Sequence, residues 1–156
     1  MHQVDWVQFR QHEWLAMDFS QFQILDSLEI SYSLLFGEST SEPVTETSAQ
    51  LHILNALPAS LRSLCIAHTG HTGNLRDAAC ITARCFEALL GNAKTKFPAL
   101  TDLAVAAKEE GGCRKDCEEI FNPLQDRVAE GKVRIRVLEY LLYSGIVVRS
   151  AGITID

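Results

Sequence analysis

The chain has 156 residues, 47% of them hydrophobic and 22% charged, with a formal net charge of −6. These proportions exclude a disordered tail, a collagen-like repeat and a disulfide-dense mini-protein. The length suits one domain, which at this size buries roughly two thirds of its unfolded surface without needing a metal or a disulfide.

At the N-terminus, His2, Asp5 and Trp6 follow Met1 with no basic segment and no apolar run. No secretory signal is therefore expected, and the location read from the sequence is cytoplasmic or nuclear. No window approaches the roughly 18 consecutive apolar residues of a membrane span, so no membrane partner is expected. In a reducing compartment the five cysteines, Cys65, Cys80, Cys85, Cys113 and Cys117, are expected as free thiols. Residues 1–20 contain Trp6, Val7, Phe9, Trp14 and Leu15 and read as a cap for the open edge of a repeat array.

Further along, three segments share one pattern. Leu25-Asp-Ser-Leu28-Glu-Ile30, Leu61-Arg-Ser-Leu64-Cys-Ile66 and Leu100-Thr-Asp-Leu103-Ala-Val105 each read L-x-x-L-x-(I/V), with starts 36 and 39 residues apart. The last two apolar positions alternate with small or polar residues and so share one face of a short strand. The first leucine turns in from the bend before it. Phe22-Gln-Ile, Leu57-Pro-Ala-Ser and Phe97-Pro-Ala lead into the three strands, and proline suits a strand entry because its missing N–H costs nothing there.

Between the strands the apolar period changes to that of a helix. Helices are predicted at about 45–56 and 75–95, the second starting after Gly73-Asn74 with a stripe from Leu75 through Ala79, Thr82 and Phe86. A third is predicted from about Arg114 through Ile120, Phe121, Leu124 and Val128 to Gly131, with Pro123 tolerated near its start or delaying it. In the tail, Val133, Ile135 and Val137 alternate like a strand, whereas Ile135, Leu138, Leu141 and Leu142 fit a helix. The helix is preferred, over 133–143, with Ile146-Val147-Val148 as a fourth strand. Strand and helix repeated in this order predict parallel strands joined by right-handed crossovers. The expected fold is α/β: a short leucine-rich-repeat-like βα solenoid, with parallel strands on the concave side and helices on the convex side. Its parts are the cap 1–20, repeat units 21–57, 58–96 and 97–145, and a final strand and tail, 146–156.

The order MDFSQFQILDSLEI, the loop GESTSEP, the phrase LPASLRSLCI and the phrase FPALTDLAV resemble the C-terminal leucine-rich-repeat-like region of fungal F-box-type proteins over about residues 15–150. The resemblance implies a non-catalytic protein-interaction domain, the substrate-selecting arm of a ubiquitin ligase receptor where an F-box accompanies it. No F-box helix trio is expected within residues 1–20, so an adaptor contact would come through a region outside the repeats.

If the leucines fill the core, their neighbours Ser27, Glu29, Ser31, Ser63, Cys65, Ala67, Asp102, Ala104 and Ala106 lie on the concave face, the usual interaction surface of an open solenoid. A surface of Ser, Cys and Ala admits the close approach of a partner backbone, or else lies under another segment of the same chain. Charge is uneven along the array: residues 1–60 hold eight acids and one base, net −7, and residues 61–156 hold twelve acids and thirteen bases, net +1. The basic cluster Lys132, Arg134 and Arg136 reads as a solvated face, so no nucleic-acid partner is expected.

Reactive groups cluster twice. Cys65, His68 and His71 have two-residue gaps of the kind that short loops use for zinc, and Cys113 and Cys117 sit at helical i, i+4 spacing beside Arg114 and Lys115. They make a small metal- or thiol-dependent protein the alternative to a scaffold. Neither spacing matches a familiar zinc or redox signature, and no nucleophile elbow or phosphate loop is present, so no catalytic residue and no cofactor is assigned.

Overall fold

In a computed structural model, residues 18–37, 44–68, 75–107, 113–128, 133–139 and 147–150 are described. The elements in chain order are β1 (Leu25–Ser31), α1 (Tyr32–Phe36), α2 (Glu46–Ala56), β2 (Ser63–Ala67), α3 (Leu75–Gly91), β3 (Asp102–Ala107), α4 (Cys113–Val128), β4 (Arg134–Glu139) and β5 (Val147–Ser150). The strands form one sheet in the order β4-β3-β2-β1-β5. The first four run parallel, and β5 runs antiparallel along β1.

The three leucine phrases fall in register. Leu28 pairs with Leu64 and Leu64 with Leu103, while Ile30, Ile66 and Val105 align one step further on. Each phrase also enters through the same turn. The N–H of Leu25, Leu61 and Leu100 donates to the carbonyl three residues back, at Phe22, Pro58 and Phe97, over 3.1, 3.2 and 3.1 Å. That turn swings the first leucine of each phrase inward, and all three are buried.

Two local devices start the helices of the first unit. Ser31 ends β1 and caps α1, its hydroxyl accepting from the Leu34 N–H, and Gly37 closes the helix in the left-handed region at φ 67°. Thr45 and Ser48 form a reciprocal capping box at the start of α2. Gly91 and Asn92 end α3 a turn earlier than the apolar stripe predicts, and the Asn92 side chain donates to the Ala88 carbonyl.

One layer of helices packs against the even-numbered side chains of β1 and β2 and the odd-numbered ones of β3 and β4. Leu28, Ile30, Leu64, Ile66, Leu103, Val105 and Ile135 share a single core with Ile53 of α2, Phe86 of α3 and Phe121 of α4. The Phe86 and Phe121 rings meet at 5.4 Å between centroids. Surface ion pairs link neighbouring helices: Arg84 of α3 reaches Glu46 of α2, and Arg76 reaches Asp116 and Glu119 of α4. Being exposed, these pairs add little stability and serve mainly to align the helices.

The structure departs from the sequence expectation in three places. Residues 134–139, expected within a helix over 133–143, form strand β4 paired with β3 from Arg134 to Glu139. The period-two reading of Ile135 and Val137 prevails because β3 offers an open ladder beside them and β-branched residues fit a pleated surface. The strand expected at 146–148 is β5, and it returns to the far edge of the sheet, antiparallel to β1. Pro123 lies well inside α4, whose first residue is Cys113. It removes one N–H from the ladder, and both Pro123 and Glu119, whose carbonyl loses that partner, lie on the exposed side of the helix where water can reach.

Candidate interaction surface

The face of the sheet turned away from the helices is a grid set by strand register. Its first row is Ser27, Ser63, Asp102 and Arg134; its second is Glu29, Cys65, Ala104 and Arg136; its third is Ser31, Ala67, Ala106 and Leu138. The nine residues expected on the concave face are therefore neighbours on one surface, joined there by three residues of β4. No described helix contributes to the packing on this side.

The grid runs from polar to apolar along the strand direction. Ser27, Ser63 and Asp102 are half-buried, whereas Cys65, Ala67, Ala104 and Ala106 are buried and form a second small cluster with Leu138 packed against it. Ser31 is buried as the cap of α1. Of the two readings for the small residues, partner approach or cover by the chain itself, burial within the single chain fits the second at these four positions. The accessible part of the surface is the first row and the two arginines of β4. The aromatic residues expected as a cap, Trp6, Phe9 and Trp14, lie outside the described residues, as does Lys132 of the basic cluster.

Electrostatically the first row centres on Asp102. Arg134 donates through Nε and Nη2 to the two carboxylate oxygens of Asp102 at 3.0 and 3.3 Å, and Arg136 Nε stands 3.4 Å from the same group. The hydrogen bonds that Arg134 donates to Asp102, and the carboxylate's charge, raise the Arg134 pKa further. One carboxylate thus orients two guanidiniums whose side chains are 65% and 43% exposed. In the second row, burial pushes the Cys65 thiol up to about 12, with Glu29 pushing it the same way and Arg136 opposing. A thiol held protonated is a poor nucleophile and a poor metal ligand.

The candidate metal ligands of the alternative reading are not brought together. Cys65 belongs to the helix-free face, whereas His68, beyond the end of β2, is buried on the opposite side, where its ring stacks on Tyr32 at 5.3 Å and its Nε2 lies 3.2 Å from Thr82 Oγ1 of α3. The sheet separates the two groups, so they cannot share one ion. His71 is outside the described residues, and among the described residues no three His, Cys, Asp or Glu side chains converge as a metal site. Cys117, one turn beyond Cys113 on α4, is fully buried in the main core. Among the described residues no helix is long and apolar enough to cross a membrane.

The His68 contact escaped sequence reasoning, and its chemistry is specific. Thr82 donates its hydroxyl proton to the Ala78 carbonyl at 3.0 Å, which leaves its oxygen to accept from His68 and assigns the proton to Nε2. Thr82→Val keeps the shape but removes the acceptor, leaving a buried N–H unsatisfied. It lowers the free energy of unfolding by about 1–3 kcal/mol in urea denaturation, whereas Thr82→Ser costs less because the acceptor is retained. Equal losses for Val and Ser would show that the hydrogen bond is not what the site depends on.

Comparison with models of protein families, with curated proteins and with solved structures finds no match to this chain.

Proposed function

We propose that this chain is a non-catalytic protein-interaction scaffold of leucine-rich-repeat-like form. The observation that carries the reading is the layering. Successive βα units lie side by side in chain order, β1 to β4, with their helices gathered on one face and a polar row left on the other. A sheet wound in one direction in this way lines up one residue from each strand, and the first row with the arginines of β4 is the accessible strip on which a partner would dock, as on solenoid proteins. The resemblance of the leucine phrases to the repeat region of fungal F-box-type proteins gives the partner a class: a protein selected for ubiquitination, where an F-box accompanies the repeats.

Ser63 tests the reading because it lies in the accessible row and its side chain is outside the core. Ser63→Arg puts a long charged side chain in the middle of the first row without opening a cavity. Proteins captured by the immobilised wild-type chain are expected to be lost with the variant, while its far-ultraviolet circular dichroism and melting temperature stay within those of the wild type. An unchanged set of captured proteins would remove this face from the function.

A further inference from the structure

We infer that the outer edge of β4, which has no strand neighbour among the described residues, takes an extended peptide of a partner protein, one that alternates acidic and apolar residues, as an added strand. The inference rests on the scaffold reading and gives the partner's contact a place and a chemistry.

Among the described residues β4 has a strand neighbour on one side only, β3. The Arg134 N–H donates to the Thr101 carbonyl at 2.8 Å, so the backbone groups of Arg134, Arg136 and Leu138 turn toward β3. Those of Ile135 and Val137 then turn outward, because backbone direction alternates along a strand. The Gln125 side chain of α4 donates to the Ile135 carbonyl at 3.0 Å, which confirms the direction and occupies one acceptor. The Ile135 N–H and both backbone groups of Val137 complete the edge, and an incoming strand about 4.8 Å away meets them with ordinary ladder hydrogen bonds.

The side chains specify what that strand carries. On the helix-free face it runs beside the exposed Arg134, held by Asp102 through two hydrogen bonds, and the half-buried Arg136, ion-paired to the same carboxylate. One carboxylate between two guanidiniums leaves one positive charge in excess, and acidic side chains of a neighbouring strand on this face would lie beside it. On the other face it runs beside Ile135 and Val137, which belong to the margin of the main core, and an apolar side chain there extends that core. A second copy of the chain is the wrong occupant. Antiparallel pairing of two β4 strands brings four arginines onto one face, and such like-charged neighbours are destabilising. A polyanionic nucleic acid is disfavoured by the overall charge of −6 and by Asp102 within the strip.

The probe is a synthetic eight-residue peptide of alternating glutamate and valine, compared with a lysine-valine peptide and a single-stranded oligothymidine. Fluorescence anisotropy with the full chain is expected to show saturable binding of the glutamate peptide alone, and hydrogen exchange is expected to show new protection at the Val137 amide. R134Q/R136Q is expected to weaken binding about tenfold, the worth of two exposed ion pairs. Its circular dichroism controls for folding, and glutamine avoids placing new negative charge beside Asp102. Leu51→Ala, exposed on α2 and away from the sheet edge, is expected to leave peptide binding unchanged. Binding that ignores the charge of the peptide, binding of the oligothymidine instead, or no binding without protection at Val137 would each overturn the inference. If R134Q/R136Q merely self-associates and no peptide binds, the arginines only guard the edge. In either failure the Ser63 result still decides the scaffold reading separately.

Discussion

Replacing Leu64 by alanine is expected to lower the free energy of unfolding by about 3–4 kcal/mol, the middle of the range for buried leucines. Leu64 is fully buried at the centre of the sheet, with Leu28 on one side, Leu103 on the other and the helix layer above. The flanking strands are held by continuous ladders and cannot close over the space left by the missing atoms, so most of the cavity persists and its cost adds to the lost transfer energy. Leu51 is the control. It is 59% exposed on α2, and Leu51→Ala is expected to change stability by under about 0.5 kcal/mol. Urea denaturation with an unchanged slope measures both. A loss below about 1 kcal/mol at Leu64 would mean that the sheet relaxes around the site and that the register of the leucines is not what fixes the core.

Much of this core was legible in the sequence because the L-x-x-L-x-(I/V) phrase encodes both a turn and a strand. Its first leucine needs the bend, and its last two need the alternation. β4 was misread because it lacks the phrase. The position three residues before Ile135 is Lys132, so no leucine announces the turn, and Leu141 and Leu142 beyond the strand extend a stripe that imitates a helix. The α1 helix left no periodic signal, being five residues long and capped by a serine that also ends β1. β5 was legible as an apolar strand but not as the neighbour of β1, since three apolar residues carry no information about which edge they join or in which direction.

The site divides in the same way. Alternation alone brought Ser27, Ser63 and Asp102 to one face, and register then added Arg134 and Arg136. What alternation could not supply was depth. Cys65, Ala104 and Ala106 have the parity of surface residues and yet are buried, because parity says which side a residue faces and not whether that side is covered. For the Cys65-Ile-Ala-His68 run the same parity is the signal in the sequence: residues three apart on an extended chain face opposite sides, which sets the thiol and the imidazole apart.

The buried thiols give the protein an alkaline weakness. Burial pushes both Cys65 and Cys85 up to about 12 from an ordinary value of 9.0, with Glu29 adding to the effect at Cys65 and Glu46 at Cys85. In the unfolded chain both thiols ionise near 9, so between pH 9 and 12 the unfolded state binds fewer protons than the folded one. Unfolding then releases protons, and stability falls as pH rises. Below pH 9 both states hold the thiols protonated and the full stability is present. At pH 10 each thiol costs on the order of 1 kcal/mol, and the pair about 2–3 kcal/mol, relative to pH 8. Because other groups also titrate in this range, the decisive measurement is a difference. Urea denaturation at pH 8, 9 and 10 is expected to show a shallower alkaline decline for Cys65→Ala and for Cys85→Ala, and the shallowest for the double variant. Cys80, exposed on α3, is the internal control, and Cys80→Ala is expected to decline in parallel with the wild type. If the double variant also declines in parallel, the two thiols ionise alike in both states, and the small-residue face around Cys65 is wet in solution and open to a partner.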